Sequence, residues 1–230
     1  MKTALITGST KGIGLQIGLD LLKQDYFVYF NGRHPVSIPN EYNYRLISAD
    51  VSKIGCIEFI RSYFEYNGDF LDVLVLNAGM TDRTPFGTID YNKWLEVFSM
   101  NLTVPFFLVQ ALADIIKPGG KIIFISSISG CTTDSLSVSY GVSKGAIHVL
   151  VPYLAKEFAS KNITVNAICP AYIKTDWHDS KAPEQIKRIE QKHLVNRLGT
   201  VQEVSKAVMA VIDNDFINAQ VLRVDGGFLV

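Results

Sequence analysis

The chain has 230 residues, 48% of them hydrophobic and 19% charged, which is enough apolar material for one folded core and excludes global disorder. Lys plus Arg and Asp plus Glu both number 22, so no net field draws the protein to nucleic acid or to an anionic membrane surface. The longest apolar runs fall short of the ~20 residues of a membrane span.

After Lys2 the segment Thr3–Thr7 reads as a first strand, being too short for a signal peptide. Further short runs rich in Val, Ile, Leu or Phe follow at Phe27–Asn31, Arg45–Ser48, Val73–Leu76, Lys121–Ile125, Thr164–Cys169 and Val221–Val224. They are apolar throughout rather than alternating, as strands covered on both faces are. Between them Gly14–Gln24 places Leu15, Leu19 and Leu22 on one stripe, and Ile57–Tyr66, Trp94–Ile116 and Tyr140–Ser160 also read as helices. Alternating strands and helices predict an α/β, doubly wound parallel sheet. With no internal repeat and no low-complexity linker, residues 1–230 form a single domain. The charged, weakly periodic stretch 176–199 reads as a lid inserted into it.

Gly8-Ser9-Thr10-Lys11-Gly12-Ile13-Gly14 closes the first strand and opens the first helix. Glycines there allow a tight turn, close approach of a pyrophosphate and close packing of helix on strand, with the anion at the positive helix end. A dinucleotide site is the expectation.

The spacing Gly-x-x-x-Gly-x-Gly resembles the short-chain dehydrogenase/reductase family, in particular its 3-oxoacyl reductases, and four later segments match in order. These are Asn77-Ala78-Gly79, then Asn101, then Ser126-Ser127 with Tyr140 and Lys144 downstream, and last Asp225-Gly226-Gly227. The resemblance spans residues 3 to 227. It implies a seven-stranded, Rossmann-type sheet of order 3-2-1-4-5-6-7 and an oxidoreductase that interconverts a carbonyl and a secondary alcohol by hydride transfer.

It also implies cofactor contacts at Asp50 and Val51 after the third strand, at Asn77, Ala78 and Gly79, and at Pro170, Ile173 and Thr175. The usual Pro-Gly is Pro170-Ala171 here, and the added methyl restricts the backbone where a ring is to be held closely. NAD-preferring relatives carry an acid where this chain has Gly32. Arg33 follows it, and Lys11 adds a second cation. A guanidinium can hold a phosphate with two hydrogen bonds, so NADP(H) is expected over NAD(H).

Tyr140 and Lys144 are i and i+4 and share a helix face. With ten tyrosines in 230 residues such a pair arises readily by chance and means little alone. An ammonium beside a phenol is expected to lower its pKa from about 10 toward neutrality. Ser127, 13 residues earlier, matches the family serine that bonds the substrate oxygen, and Asn101 the asparagine whose carbonyl holds a relay water. The catalytic set is thus Ser127, Tyr140, Lys144 and Asn101.

Substrate walls are expected from Met80, the loop Ile128–Ser139 including Ser135, Tyr172, and the lid with Trp177, His178, Lys181, Lys187, Arg188 and Lys192. The mixture suits a polar, modest-sized carbonyl substrate. An acidic carrier protein meeting the lid lysines is the other reading. Cys56, Cys131 and Cys169 show no CxxC and the four histidines no HxxxH, so no disulfide and no bound metal are expected, and a reducing cytoplasmic setting is. Apolar residues on more than one stripe of the two long helices point to a homodimer or homotetramer. The competing reading is a non-catalytic NADP(H)-binding regulatory protein. Such relatives lose the Tyr or Lys that this chain keeps. Epimerases and dehydratases usually run longer.

Overall fold

In the computed structural model, which describes residues 1–39, 41–134, 137–176 and 181–230, all seven predicted strands form and pair in parallel. They are β1 Thr3–Ile6, β2 Phe27–Gly32, β3 Tyr44–Ser48, β4 Leu71–Leu76, β5 Ile116–Ile125, β6 Thr164–Pro170 and β7 Val221–Val224, in the order β3-β2-β1-β4-β5-β6-β7. The uninterrupted apolar runs have the expected cause. Alternate residues of one strand feed opposite cores: Leu5, Leu74 and Phe124 on one side, Ala4, Ile6, Val75 and Ile125 on the other.

Helices α2 Cys56–Asn67, α4 Val104–Ala111 and α5 Val138–Glu157 bury Phe64, Leu108 and Val151 in the first core. Helices α1 Gly12–Leu22 and α7 Val201–Ile212 bury Ile17, Leu21, Val204 and Val208 in the second. Two more helices are α3 Tyr91–Phe98, which packs against α5, and α6 Pro183–Glu190.

The expected helix Trp94–Ile116 differs. It starts at Tyr91, capped by Asp90, whose carboxylate accepts from Asn92 N and Lys93 N, both at 3.0 Å. It then passes through a π turn, Ser99–Thr103, before α4, and ends at Ala111. Its last apolar residues belong elsewhere: Ile116 already pairs with Leu71 as the start of β5, and the register shifts before Lys121. By length and composition the stretch 91–111 could cross a membrane. In the fold its Val97, Val104, Leu108 and Val109 lie buried within the protein.

Helix α7, which apolar periodicity alone did not bring out, starts with a reciprocal cap. Thr200 Oγ1 accepts from Glu203 N, and the Glu203 carboxylate accepts from Thr200 N. Within the expected lid, α6 carries Glu184 in its first turn and Lys187 and Arg188 in its last, as the helix dipole favours. Ser135, Trp177 and His178 lie outside the described residues.

Candidate active site

The strand order reverses between β1 and β4, and the sequence-predicted residues collect at the carboxyl ends of the strands around that point. Gly8 and Gly12 both have φ +59°, a left-handed conformation that a side chain disfavours. A Cβ at Gly8 would stand 2.9 Å from Ala78 Cα, whereas one at Gly12 would meet only Thr175 Cγ2, at 3.8 Å. The turn is therefore packed on its inner side and open on its outer side. Helix α1 begins there with no side chain capping it, so its first N–H groups point to the open side. An open glycine cradle over an uncapped helix start fits a pyrophosphate.

Buried polar contacts hold this turn. Asn77 Nδ2 donates to Thr7 O and Gly8 O at 3.0 and 2.9 Å. Thr7 Oγ1 accepts from Asn77 N and Ala78 N at 3.0 and 3.1 Å, tying β1 to β4 across the reversal. Ser9, expected at the cofactor, is fully buried. Its hydroxyl donates to Ile6 O at 2.7 Å and accepts from Asn31 N at 2.9 Å, so it shapes the turn instead of facing a ligand. Asn31 was passed over as a strand residue. Its fully buried amide accepts from Gly8 N and donates to Ile47 O and Ala49 O, joining the glycine turn to β2 and β3. An amide directly after the apolar run Phe27–Phe30, still within the strand, was the available signal.

At the carboxyl end of β2, a Cβ on Gly32 would lie 2.5 Å from Thr10 Cγ2, which leaves no room for an acidic side chain unless Thr10 moves. Arg33 is exposed beside Gly32. Hydrogen bonds from Ser52 hold the Asp50 carboxyl below its usual range, and the charge of Arg33 adds to this, which places the guanidinium near Asp50. Val51 is buried. Lys11 makes a 3.8 Å pair with Asp176, both side chains largely exposed, a contact worth little in water. Thr175 reaches toward Gly12, and buried Ile173 bridges to Gly199. Ala171 has no left-handed φ and donates its N–H to Val224 O at 3.1 Å, so the backbone there does not require a glycine.

The four expected catalytic residues converge. Ser127 stands at the end of β5, its Oγ donating to Ser129 Oγ at 3.2 Å and lying within hydrogen-bonding reach of the Tyr140 phenol. Ser126 turns away, as the strand alternation predicts, toward Lys144 O and His148. Tyr140 enters α5 on its first turn, with Ser137 capping through a bond from Tyr140 N. Lys144 Nζ lies 5.8 Å from the Tyr140 ring centre and donates to Ile125 O at 2.8 Å. Asn101 sits in the π turn, a feature that often marks functional sites. Its amide is engaged at both ends: Oδ1 accepts from Met80 N, and Nδ2 donates to Met80 O and Ser143 Oγ, all at 2.9 Å. A Cβ on Gly79 would lie 3.3 Å from Asn101 Oδ1 and 3.5 Å from Lys144 Nζ, so that glycine keeps the space between them open.

The electrostatics correct one expectation. Burial raises the Tyr140 pKa, partly opposed by the hydrogen bond to Ser127, and burial also pushes Lys144 down from 10.5 to about 8. Desolvation is the largest influence on the phenol, and it favours the neutral form. The phenol is therefore held in its protonated form, ready to donate.

The fold also assembles a group the chain spacing concealed. Among the described residues, Cys131, His148 and Cys169 bring their ligand atoms within 4.8 Å of one another.

The family described as enoyl-(acyl carrier protein) reductase matches residues 8–229. The chain belongs to the short-chain dehydrogenase/reductase family. The 3-oxoacyl-[acyl-carrier-protein] reductase FabG of Aquifex aeolicus is 32% identical over 98% of this chain and 96% of its own. The acetoacetyl-CoA reductase of Rhizobium meliloti is 33% identical over 98% of both chains. In the solved structure described as ElxO with NADP bound, the TM-score is 0.87 at 30% identity, covering 99% of this chain and 98% of that one. The chain is thus similar throughout its length to oxidoreductases and shares their Rossmann-type sheet.

Proposed function

We propose that the protein is an NADP(H)-dependent reductase of a small carbonyl compound, with Ser127, Tyr140, Lys144 and Asn101 as its catalytic set. The juxtaposition of the Ser127 hydroxyl and the protonated Tyr140 phenol, beside the buried Lys144 ammonium, carries this reading. NADP(H), when bound, supplies or accepts the hydride. Gly8, residues 10–14, Asp50, Val51, Asn77–Gly79, Pro170, Ile173 and Thr175 would hold it, with Ser9 shaping the turn beneath, and Arg33 with Lys11 would meet a 2′-phosphate. Support for that phosphate is the exposed guanidinium together with the lack of room for an acid at Gly32. ElxO, a relative by fold and sequence, is described with NADP bound.

Ser127 Oγ and the Tyr140 phenol hold the carbonyl oxygen, and as negative charge develops there Tyr140 passes it a proton. The Lys144 ammonium favours the phenolate left behind. A water on the main-chain carbonyl of Asn101 would return the proton, while the side-chain amide anchors the π turn to Met80 and Ser143.

Around the half-buried Tyr172 stand Asp134 and the cations Lys192 and Arg83, and Arg83 also acts on Lys181, whose pKa burial lowers. Cations crowded at the mouth suit a polar or anionic carbonyl substrate. An acidic carrier protein would meet the same lysines. The segment 176–199 would serve as the lid over it.

Val142, Val149 and Tyr153 form an exposed apolar stripe along α5, with Phe107 on α4, and support assembly as a homodimer or homotetramer. The three free cysteines suit a reducing cytoplasm.

The test follows NADPH absorbance at 340 nm against ketones, sugars, keto acids and 3-oxoacyl thioesters. At least one class should be turned over, and Tyr140→Phe should nearly abolish turnover while NADPH still binds. Near-normal rates in that variant would end the assignment. NADPH binding without turnover of any class would favour the regulatory reading.

A further inference from the structure

Three side chains outside the hydride chemistry meet behind Ser127. Cys131 closes the short turn Ile128–Gly130, His148 lies one helical turn beyond Lys144 on α5, and Cys169 is in β6. Cys131 is exposed and Cys169 buried. His148 Nδ1 lies 3.5 Å from Cys131 Sγ, and its Nε2 lies 2.8 Å from Ser126 Oγ.

The tautomer follows from proton counting. Ser126 has one hydroxyl proton and donates it to Lys144 O at 3.0 Å. With that proton so placed, the contact with His148 Nε2 is an N–H donated to Ser126 Oγ, which leaves the Nδ1 lone pair facing Cys131 Sγ. An imidazole whose other N–H is held by a fixed acceptor is the arrangement found behind metal-ligating histidines.

Spacing agrees. In a tetrahedral zinc site, bonds of ~2.3 Å to sulfur and ~2.0 Å to nitrogen set the ligand atoms about 3.5–3.8 Å apart. The His148–Cys131 separation of 3.5 Å already meets this, and the remaining separations, none above 4.8 Å, need to close by at most about 1 Å. Gly130 makes the close approach possible, since a Cβ there would stand 2.8 Å from His148 Cε1 and 2.7 Å from Gly145 N. Exposed Cys131 provides the way in.

We propose that Cys131 Sγ, His148 Nδ1 and Cys169 Sγ bind one borderline-soft divalent cation, of which Zn²⁺ is the type, with water completing the tetrahedron. The two thiols ligate as thiolates, so two protons pass to solvent for each ion bound. The site is independent of the carbonyl-reductase reading, and its test does not use turnover.

The full-length protein, kept reduced with a phosphine, is titrated with Co²⁺ and then with Zn²⁺. One Co²⁺ per chain should give thiolate-to-cobalt charge-transfer absorption in the near ultraviolet, and one Zn²⁺ should abolish it. Zn²⁺ should also slow iodoacetamide alkylation of Cys131 at least tenfold. Cys131→Ser, on an exposed turn where folding is not at stake, and His148→Gln should each weaken Co²⁺ binding at least tenfold. Cys56→Ser, in a separate part of the core, should leave it unchanged. Absence of the charge-transfer band at one equivalent, or affinity retained in both Cys131→Ser and His148→Gln, would overturn the proposal.

Discussion

Lys144 is 4% exposed, and burial lowers its pKa from 10.5 to about 8. Folding at neutral pH therefore encloses an ammonium group that would rather be in water. Lowering the pKa from 10.5 to about 8 amounts to ~3 kcal/mol of destabilisation. Lys144→Met keeps the chain length and removes the charge. It also removes the 2.8 Å bond to Ile125 O, a loss of ~1 kcal/mol. The variant should be inactive yet more stable than the parent at pH 7, by ~2 kcal/mol. The pH dependence identifies the cause. Below about pH 8 the lysine is charged in both folded and unfolded chains, and the full penalty applies. Between about 8 and 10.5 the folded chain has released the proton that the unfolded chain still binds, so parent stability rises with pH and the gap narrows by ~1.4 kcal/mol per unit. Urea unfolding of ligand-free protein from pH 7 to 9.5, at one fixed protein concentration to hold any assembly constant, measures this. A variant less stable than the parent at pH 7, or a gap that does not change with pH, would refute the argument.

For the reductive direction, kcat/KM toward the cofactor should be flat below about pH 8 and fall above it as Lys144 loses its proton; a profile flat to pH 10 contradicts an essential ammonium. Arg33→Asp should lower the NADPH-to-NADH preference at least tenfold, read as the ratio of kcat/KM values, and an unchanged ratio removes Arg33 from the phosphate. Val149→Lys with Tyr153→Lys should shift the protein to smaller species in sedimentation velocity, without unfolding it, if the α5 stripe is an interface. Thr200→Ala should lower unfolding stability by ~1 kcal/mol through loss of the α7 cap, measured by urea titration.

The strands were legible because burial on both faces leaves one chemical trace, a continuous apolar run, and each run named from the sequence is a strand of the sheet. The glycine turn was legible because its chemistry fixes spacing within a strand–turn–helix unit, whereas Ser127, Tyr140 and Lys144 were legible only through the family resemblance, the i, i+4 pair meaning little alone. What escaped depended on partners far along the chain. The break between α4 and β5 was hidden because Leu112, Ile115 and Ile116 are as apolar as the helix before them, and pairing with Leu71 decides their state. The π turn at Asn101 leaves no periodic signal. Asn31 looked like a strand residue until the fold set its amide against Gly8, Ile47 and Ala49. The Tyr140 pKa was misjudged in direction because a sequence shows the neighbouring charge and not the depth of burial.

The same limit explains the cysteines. Their separations of 38 and 75 residues carry no ligand pattern, because the group at Cys131, His148 and Cys169 is built from a turn, a helix and a strand. Helix α5 shows how one element serves several ends. Residues four apart on a helix drift by about 40°, so Tyr140, Lys144 and His148 sweep from the catalytic crevice to the cysteines. Ile147, Val151 and Leu154 meanwhile face the core, and Val142, Val149 and Tyr153 face outward. The apolar residues are thus spread around the axis. A helix with three occupied faces has no single stripe to read, and its role is legible only from the separate chemistry of each face.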